Sequence, residues 1–393
     1  MLELARTPLA NAVVGEKDVG KAQPLYPLDV YLCGNCGHVQ LADVVDPKIL
    51  YEHYVYVSGT SPVFVQHFQA YFDYLTRTFS PPGDGLVVEI GSNDGTFLKF
   101  FKQSGRRVLG VDPAQEIGEA SRKAGIPTLS EFFTPAVAQK ILREEGPASI
   151  VIANNCIAHI DDLGAVVDGV AQLLAPDGLF AFEVAYLVDL LEKGLFDTIY
   201  HEHLDYHSVE PLALFFERHG LELIHAQRVE THGGSLRGIV QRKGAGREVD
   251  ASVRSLVALE QGLKIKDVAT YRAFSGRIGK LGNELVGTLR RLAGEGKRIA
   301  GFGAPAKTTT LMYQLGIEPG MIDFIVDDSP LKQGKFTPGM HIPILPASAL
   351  YDRKPDYVVV LAWNFASSIV AKHARFRDAG GKFIVPLPSL EVI

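Results

Sequence analysis

Tyr200-His201-Glu202-His203 sets a phenol, two imidazoles and a carboxylate within four residues. These groups move protons near neutral pH, so the segment is a candidate for general acid–base work. A polar turn could use the same residue types. Four of them following an apolar strand at 179–184 favour a site instead. A second constellation reads Val87-Val-Glu89-Ile-Gly91-Ser-Asn93-Asp94-Gly95-Thr96, which is a strand, a tight loop and a helix start. Glycines there allow positive φ and close approach of a ligand. Asp112 ends the next strand, twenty-one residues after Gly91, where an acid can accept hydrogen bonds from two ribose hydroxyls.

The loop discriminates between ligands. A dinucleotide loop needs G-x-G-x-x-G to seat a pyrophosphate on the helix N-terminus. This loop reads G-S-N-D-G, and Asp94 stands where the pyrophosphate would sit. A carboxylate repels pyrophosphate but suits the cationic amino-acid end of S-adenosylmethionine. Asp94 as a helix N-cap is compatible with that reading.

The surrounding pattern must place these groups. From 71 to 245 strands and helices alternate. Strands are expected at 86–90, 107–111, 126–129, 149–153 and 179–184, with helices at 96–104, 117–124, 135–144 and 163–174. That rhythm implies a parallel, doubly wound sheet. Residues 246–297 carry apolar positions at helical spacing and read as a two-helix connector. A second alternating block fills 298–393, with a strand at 298–302, a helix at 304–315 and one helix over 366–379. Residues 1–70 form a small cap of short extended pieces. The fold class is α/β, two Rossmann-like sheets behind a cap.

Composition narrows the setting. The 393 residues are too many for one ordinary core. Net charge is −6 and no dense basic tract appears, so nucleic acid is not an expected partner. The uncharged stretches 147–160 and 357–371 are too short to span a bilayer, which excludes a membrane-embedded class. Glu3 and Arg6 interrupt the apolar N-terminus, so no secretory leader is expected. Three cysteines make no disulfide framework in a chain this long. The expectation is a cytoplasmic monomer.

Several blocks together resemble the nucleotide-sugar C-methyltransferases that branch deoxysugars at C3. They are Thr7-Pro-Leu-Ala-Asn-Ala12, Tyr26-Pro-Leu-Asp-Val-Tyr-Leu-Cys33-Gly-Asn-Cys36-Gly-His-Val-Gln40, Tyr54-Val-Tyr56-Val-Ser-Gly-Thr-Ser61 and Asn155-Cys-Ile-Ala-His159-Ile. Tyr200-His-Glu-His203, His232-Gly-Gly-Ser-Leu-Arg237, Gly301-Phe-Gly-Ala-Pro-Ala-Lys307 and Ala362-Trp-Asn-Phe365 complete the set. The resemblance implies a zinc-binding cap, a class I methyltransferase core and a Rossmann-like C-terminal domain that helps bind a nucleotide sugar. It implies deprotonation of C3 beside a 4-ketone, then methyl transfer to the resulting enolate. His203 is then the base, Glu202 its orienting or proton-relaying neighbour, and Tyr200 and His159 hold or polarise the sugar. Tyr54 closes over it from the cap, with Tyr56 the alternative. The expected cofactor residues are Glu89, Gly91, Asn93, Asp94, Gly95, Asp112 and Asn155.

The chain departs from the family pattern at its start. The family's cap zinc has four Cys ligands, the first pair ahead of the T-P-L-A-N segment. Here Met1-Leu-Glu-Leu-Ala-Arg-Thr7 stands in that place, leaving Cys33 and Cys36 as metal candidates, with His38 a possible third. Two thiolates do not close a tetrahedral site. Either a preceding piece is missing or the cap has lost its metal. Besides a catalytically idle sugar-binding protein that keeps the fold, two further functions compete. One is O- or N-methyl transfer to a related sugar, which needs no enolate. The other is an NAD-dependent sugar dehydrogenase built on Gly301-Phe-Gly303-Ala304-Pro305-Ala306, with Asp327 and Asp328 ending the next strand. Pro305 just inside the helix start has a plain structural reading, and Lys307 could meet a diphosphate oxygen.

Overall fold

The structure is a computed structural model that describes residues 1–51, 62–81 and 83–393. The cap opens with two short antiparallel strands, β1 (Val30–Leu32) and β2 (Val39–Leu41), joined through the Cys33–Cys36 turn. The core then alternates β3 (Leu86–Ile90), β4 (Arg107–Val111), β5 (Thr128–Leu129), β6 (Ala148–Asn154) and β7 (Leu174–Ala185) with helices. β8 (Asp205–Tyr206) returns to the cap and pairs with β2. β9 (Leu221–Val229) and β10 (Ser235–Arg242) complete the core sheet.

The seven core strands lie in the order β5-β4-β3-β6-β7-β10-β9. All neighbours among the first five are parallel, while β10 runs antiparallel to both β7 and β9. This corrects the expectation of a parallel sheet. β10 hides from pattern reading because it is buried on both faces over Ser235–Gln241, so no polar alternation marks it. Every residue of β3 is buried for the same reason. Glu89 is the exception in type, a carboxylate inside that apolar run.

Strand order reverses between β3 and β6, so a crevice opens at their carboxyl ends. Residues 91–95 leave β3 there, and the 3-10 turn Ile157–His159 follows β6. The topology therefore brings the glycine loop and His159 to one edge.

Two helices, Ala251–Gly262 and Val268–Gly294, form the connector. Asp250 and Asp267 cap them by accepting from Ser252 N and Ala269 N, each at 2.8 Å. Along the longer helix Tyr271, Phe274, Ile278, Leu281, Leu285, Leu289 and Leu292 recur at three- and four-residue spacing and are buried. Tyr271 and Phe274 meet Leu2, Val30 and Leu187, so cap, core and connector share apolar packing.

The last unit holds β11 (Ile299–Phe302), β12 (Ile325–Val326), β13 (Ile344–Leu345), β14 (Tyr357–Val360), β15 (Lys382–Val385) and β16 (Glu391–Val392). Their order is β13-β12-β11-β14-β15-β16, again with a reversal beside the first strand. The helix after β11 spans Lys307–Leu315 and starts later than the expected 304. Ala304 N is held by the Asp327 carboxylate at 2.6 Å, which keeps that residue in the loop. Pro305 accordingly lies ahead of the helix. The helix expected over 366–379 is broken at His373, whose ring is buried against Phe302 and bonded to Tyr351 Oη at 2.9 Å. No helix among the described residues is long and apolar enough to cross a membrane.

Gly238 on β10 pairs with Phe182 on β7, and a Cβ there would fall inside the Phe182 ring. Buried aromatic packing leaves that ring nowhere to go. Gly238→Ala should cost roughly 1–3 kcal/mol, measured as a lowered urea midpoint with unchanged slope. A variant as stable as the parent would show that the β7–β10 contact is looser than described.

Candidate active site

The loop after β3 is shaped by backbone geometry. Gly91, Asn93 and Gly95 all have positive φ, at 68°, 49° and 73°. A side chain at Gly91 would press on Cys156 Cβ at 2.9 Å, so only glycine lets the segments after β3 and β6 lie this close. Asp112 fixes the loop from the side. Its Oδ2 accepts from Asn93 N and its Oδ1 from Ala114 N, each at 2.9 Å. Asp94 Oδ1 accepts from Thr96 N at 3.1 Å, but the N-cap of the helix is Gly95, which corrects the reading of Asp94 as the cap.

Electrostatics then define what the loop can take. Glu89 is 3% exposed. Burial first, then the charges of Asp94 and Asp112, push its carboxyl well above the usual range. Burial also raises Asp112, against the two backbone N–H groups that lower it. Glu89 Oε2 and Ser92 Oγ are buried with no hydrogen-bond partner among the described residues, and the buried Asn154 amide lies beside the Glu89 carboxyl. Three carboxylates and a set of unsatisfied polar atoms at one strand edge fit a cationic, polar ligand. S-adenosylmethionine has a sulfonium, an ammonium and a ribose diol, so the residues present fit it. Asn154 and Ser92 were not singled out from sequence. Asn155 is held in a left-handed turn, φ 52°, with its N–H on Glu183 O at 2.8 Å.

The proton-active segment lies beside this loop. Leu204 N donates to Ala158 O at 2.7 Å, tying it to the turn that follows β6. His203 N closes a tight turn on Tyr200 O at 2.8 Å. The rings of Tyr200 and His203 are 4.1 Å apart, and those of His159 and His203 4.9 Å. These three expected residues therefore form one cluster. His203 Nδ1 lies 2.7 Å from the Thr198 carbonyl. A carbonyl can only accept, so Nδ1 carries the proton and Nε2 keeps the lone pair.

Glu202 is 5% exposed and accepts from Asn11 Nδ2 of the cap at 2.7 Å. Burial pushes its carboxyl up to about 7. His201 turns the other way, buried with Nε2 3.1 Å from Pro27 O, and burial lowers its pKa. Tyr54 and Tyr56 lie outside the described residues. Lys307, which sequence reading offered to a diphosphate, is engaged within the protein. Its Nζ sits 3.3 Å from the buried Asp197 carboxylate and 4.5 Å over the Trp363 ring.

Cys33 and Cys36 share a turn in which Gly37 N donates to Cys33 O at 3.0 Å. Backbone N–H groups of Cys36 and Asn35 bring the exposed Cys33 thiol down to about 7. His38 Nε2 is engaged with Asp205 Oδ1 at 2.7 Å. Among the described residues no three His, Cys, Asp or Glu side chains are grouped to hold a metal. These donors do not make a closed zinc tetrahedron.

Comparison with known proteins places this site in a class. Residues 64–226 match the family model described as "Methyltransferase domain", residues 230–388 "C-methyltransferase C-terminal domain", and residues 1–51 "Putative zinc binding domain". Among solved structures, the PH0226 protein of Pyrococcus horikoshii is similar at 15% identity and a TM-score of 0.40, over 51% of this chain and all of its own. Magnesium protoporphyrin IX methyltransferase of Synechocystis with bound S-adenosylmethionine is similar at 15% identity and a TM-score of 0.35, over 45% of this chain and 79% of its own. The chain is an S-adenosylmethionine-dependent methyltransferase with a class I, Rossmann-like core. C-methyltransferase NovU of Streptomyces niveus is 38% identical over all 393 residues, which cover 94% of that protein. This chain belongs to that family of C-methyltransferases.

The raised Glu202 carboxyl makes stability depend on pH. Its folded pKa of about 7 lies above its ordinary 4.5, so the folded state holds the proton more tightly. That stabilisation is complete below about pH 4.5 and is lost as pH rises through about 7. Glu202→Gln should flatten the stability curve in this window and gain up to ~3 kcal/mol above it. Urea titrations at pH 5 and 8 check this. A Gln variant less stable at pH 8 would mean that the carboxylate is charge-paired when ionised.

Proposed function

We propose that this enzyme methylates a carbon beside the ketone of a nucleotide-linked 4-keto-deoxysugar, with His203 as the base. The observation that carries the reading is the Thr198 carbonyl on His203 Nδ1, which holds a ring proton there and puts the lone pair of the neutral imidazole on Nε2. A saturated sugar carbon is no nucleophile, but a neighbouring ketone makes its C–H acidic. Nε2 takes that proton, and the electron pair left behind is held as an enolate. Tyr200 and His159, packed against His203, are the groups to donate toward the ketone oxygen. S-adenosylmethionine supplies an electrophilic methyl, and the carbon–carbon bond forms as its carbon–sulfur bond breaks. A placed base contributes ~10²–10⁴-fold.

For the cofactor, Glu89, Asp94 and Asn155 face its cationic amino-acid end, Gly91, Asn93 and Gly95 shape the loop beneath it, and Asp112 takes the ribose. The nucleotide end of the substrate goes to the C-terminal crevice between β11 and β14. The enzyme acts as a cytoplasmic monomer, without nucleic acid or membrane.

Asp112→Ala removes the ribose acceptor and should weaken S-adenosylhomocysteine binding at least tenfold by calorimetry, about the worth of one charged hydrogen bond. Unchanged affinity would move the cofactor elsewhere. For the chemistry, a nucleoside-diphosphate 4-keto-6-deoxyhexose in heavy water with S-adenosylhomocysteine should exchange one ring proton. The ketone acidifies both C3 and C5, and C3 is the expected position. His203→Asn should abolish exchange and methylation together, whereas Tyr200→Phe should slow methylation by ~1–3 kcal/mol. Methylation without loss of a ring C–H proton would sink the enolate route.

A further inference from the structure

Thr198 ends a single 3-10 turn, Phe196–Thr198, which by itself is too short to hold a carbonyl in place. Residues on both sides of it are gripped by the C-terminal unit. Asp197, with a fully buried side chain, receives Trp363 Nε1 on Oδ2 at 2.6 Å and Lys307 Nζ at 3.3 Å. Lys307 is itself only 15% exposed and lies over the Trp363 ring, so the three groups form one closed cluster. On the other side, Thr310 Oγ1 donates to Ile199 O at 2.7 Å. Lys307 and Thr310 stand on one helix a turn apart, and Trp363 follows β14. The contacts of Trp363 and Lys307 with Asp197, and of Thr310 with Ile199, cross from the C-terminal unit to the segment presenting Tyr200 and His203.

We propose that Asp197, clamped by Lys307 and Trp363, is a positioning residue that fixes the proton of His203 on Nδ1 by holding the Thr198 carbonyl against it. The clamp makes the C-terminal unit part of the acid–base apparatus although it supplies no reacting group. Burial raises the Asp197 carboxyl in spite of its two partners, so the ion pair is an expensive feature for a turn this small. A merely structural joint between two units would be made as well by apolar side chains. Lys307 and Trp363 also flank the crevice between β11 and β14, which places the clamp between the nucleotide end and the base. This inference rests on His203 being the base for its catalytic consequence, but not for its structural one.

The test uses the full chain, labelled with nitrogen-15 histidine and saturated with S-adenosylhomocysteine. The His203 signal, assigned by its loss in His203→Asn, should show the Nδ1–H tautomer in the parent. Trp363→Phe removes one hydrogen bond without leaving a lone charge. The pair Asp197→Asn with Lys307→Met removes both charges at once, which keeps a folded variant within reach. Both should shift the signal toward the Nε2–H form and lower kcat roughly ten- to a hundred-fold, with KM for the 4-keto sugar nucleotide little changed. Folded variants that keep the native tautomer and kcat overturn the proposal. If His203→Asn still exchanges the ring proton while the tautomer answers to Asp197, the base is reassigned and the clamp stands.

Discussion

A neutral imidazole has one proton for two nitrogens, and at His203 the Thr198 carbonyl decides where it goes. The rest of the architecture converges on that 2.7 Å contact. The core supplies the turn after β6, which fastens Leu204 through Ala158 and sets His159 against the His203 ring. The cap supplies Asn11, which holds Glu202, and Pro27, which holds His201. The C-terminal unit supplies the helix Lys307–Leu315, which steadies residues 197 and 199. The segment that carries the proposed base is thus held from three directions, as a preorganised site requires.

The cofactor edge shows the opposite economy. Glu89, Asp94 and Asp112 are crowded at one sheet edge, and burial opposes the ionisation of Glu89 and Asp112. Taken alone the arrangement destabilises the fold. It makes sense as a site prepared for a positive ligand, whose charge would relieve what the protein has concentrated. Glu202 follows the same logic on the acid–base side, where burial holds its carboxyl near neutrality. Polarity that costs folding energy lies at the two places where the chemistry is expected.

How much of this was legible in the sequence depended on whether the signal was local. The glycine loop, Asp112 and the buried strand β3 declare themselves within a few residues, and the structure has the strand where it was read, with the loop after it and Asp112 against the loop. Tyr200, His203 and His159 could be named by residue type, yet their meeting depends on the Leu204–Ala158 bond across the fold. Asp197 and Thr198 could not be read at all. Asp197 is paired with Lys307, 110 residues away in sequence, and Thr198 meets His203 through a backbone carbonyl that any residue type would offer. Lys307 was misread for the complementary reason. A lysine at a helix start looks like an anion site until a buried carboxylate from another unit claims it. β10 escaped because full burial erases the alternation by which strands are recognised.

The two Rossmann-like sheets share a device at their switch points. In the first, Asp112 accepts from the loop amide of Asn93 and from Ala114, two residues on. In the second, Asp327 accepts from the loop amide of Ala304 and from Ser329, two residues on. The clasp is the same, and the neighbours differ. Gly301 stands two residues before Gly303 where Glu89 stands two before Gly91, and Ala306 takes the place of Asp94. The second crevice therefore lacks two of the three carboxylates of the first. It adds Lys332, whose Nζ donates to Ala304 O at 2.7 Å and whose pKa burial lowers. Removing two negative charges and placing a lysine beside the third turns a site for a cation into one that an anion can approach. That inversion supports the proposed division of labour, with the sulfonium cofactor at the first switch point and the nucleotide end of the sugar at the second.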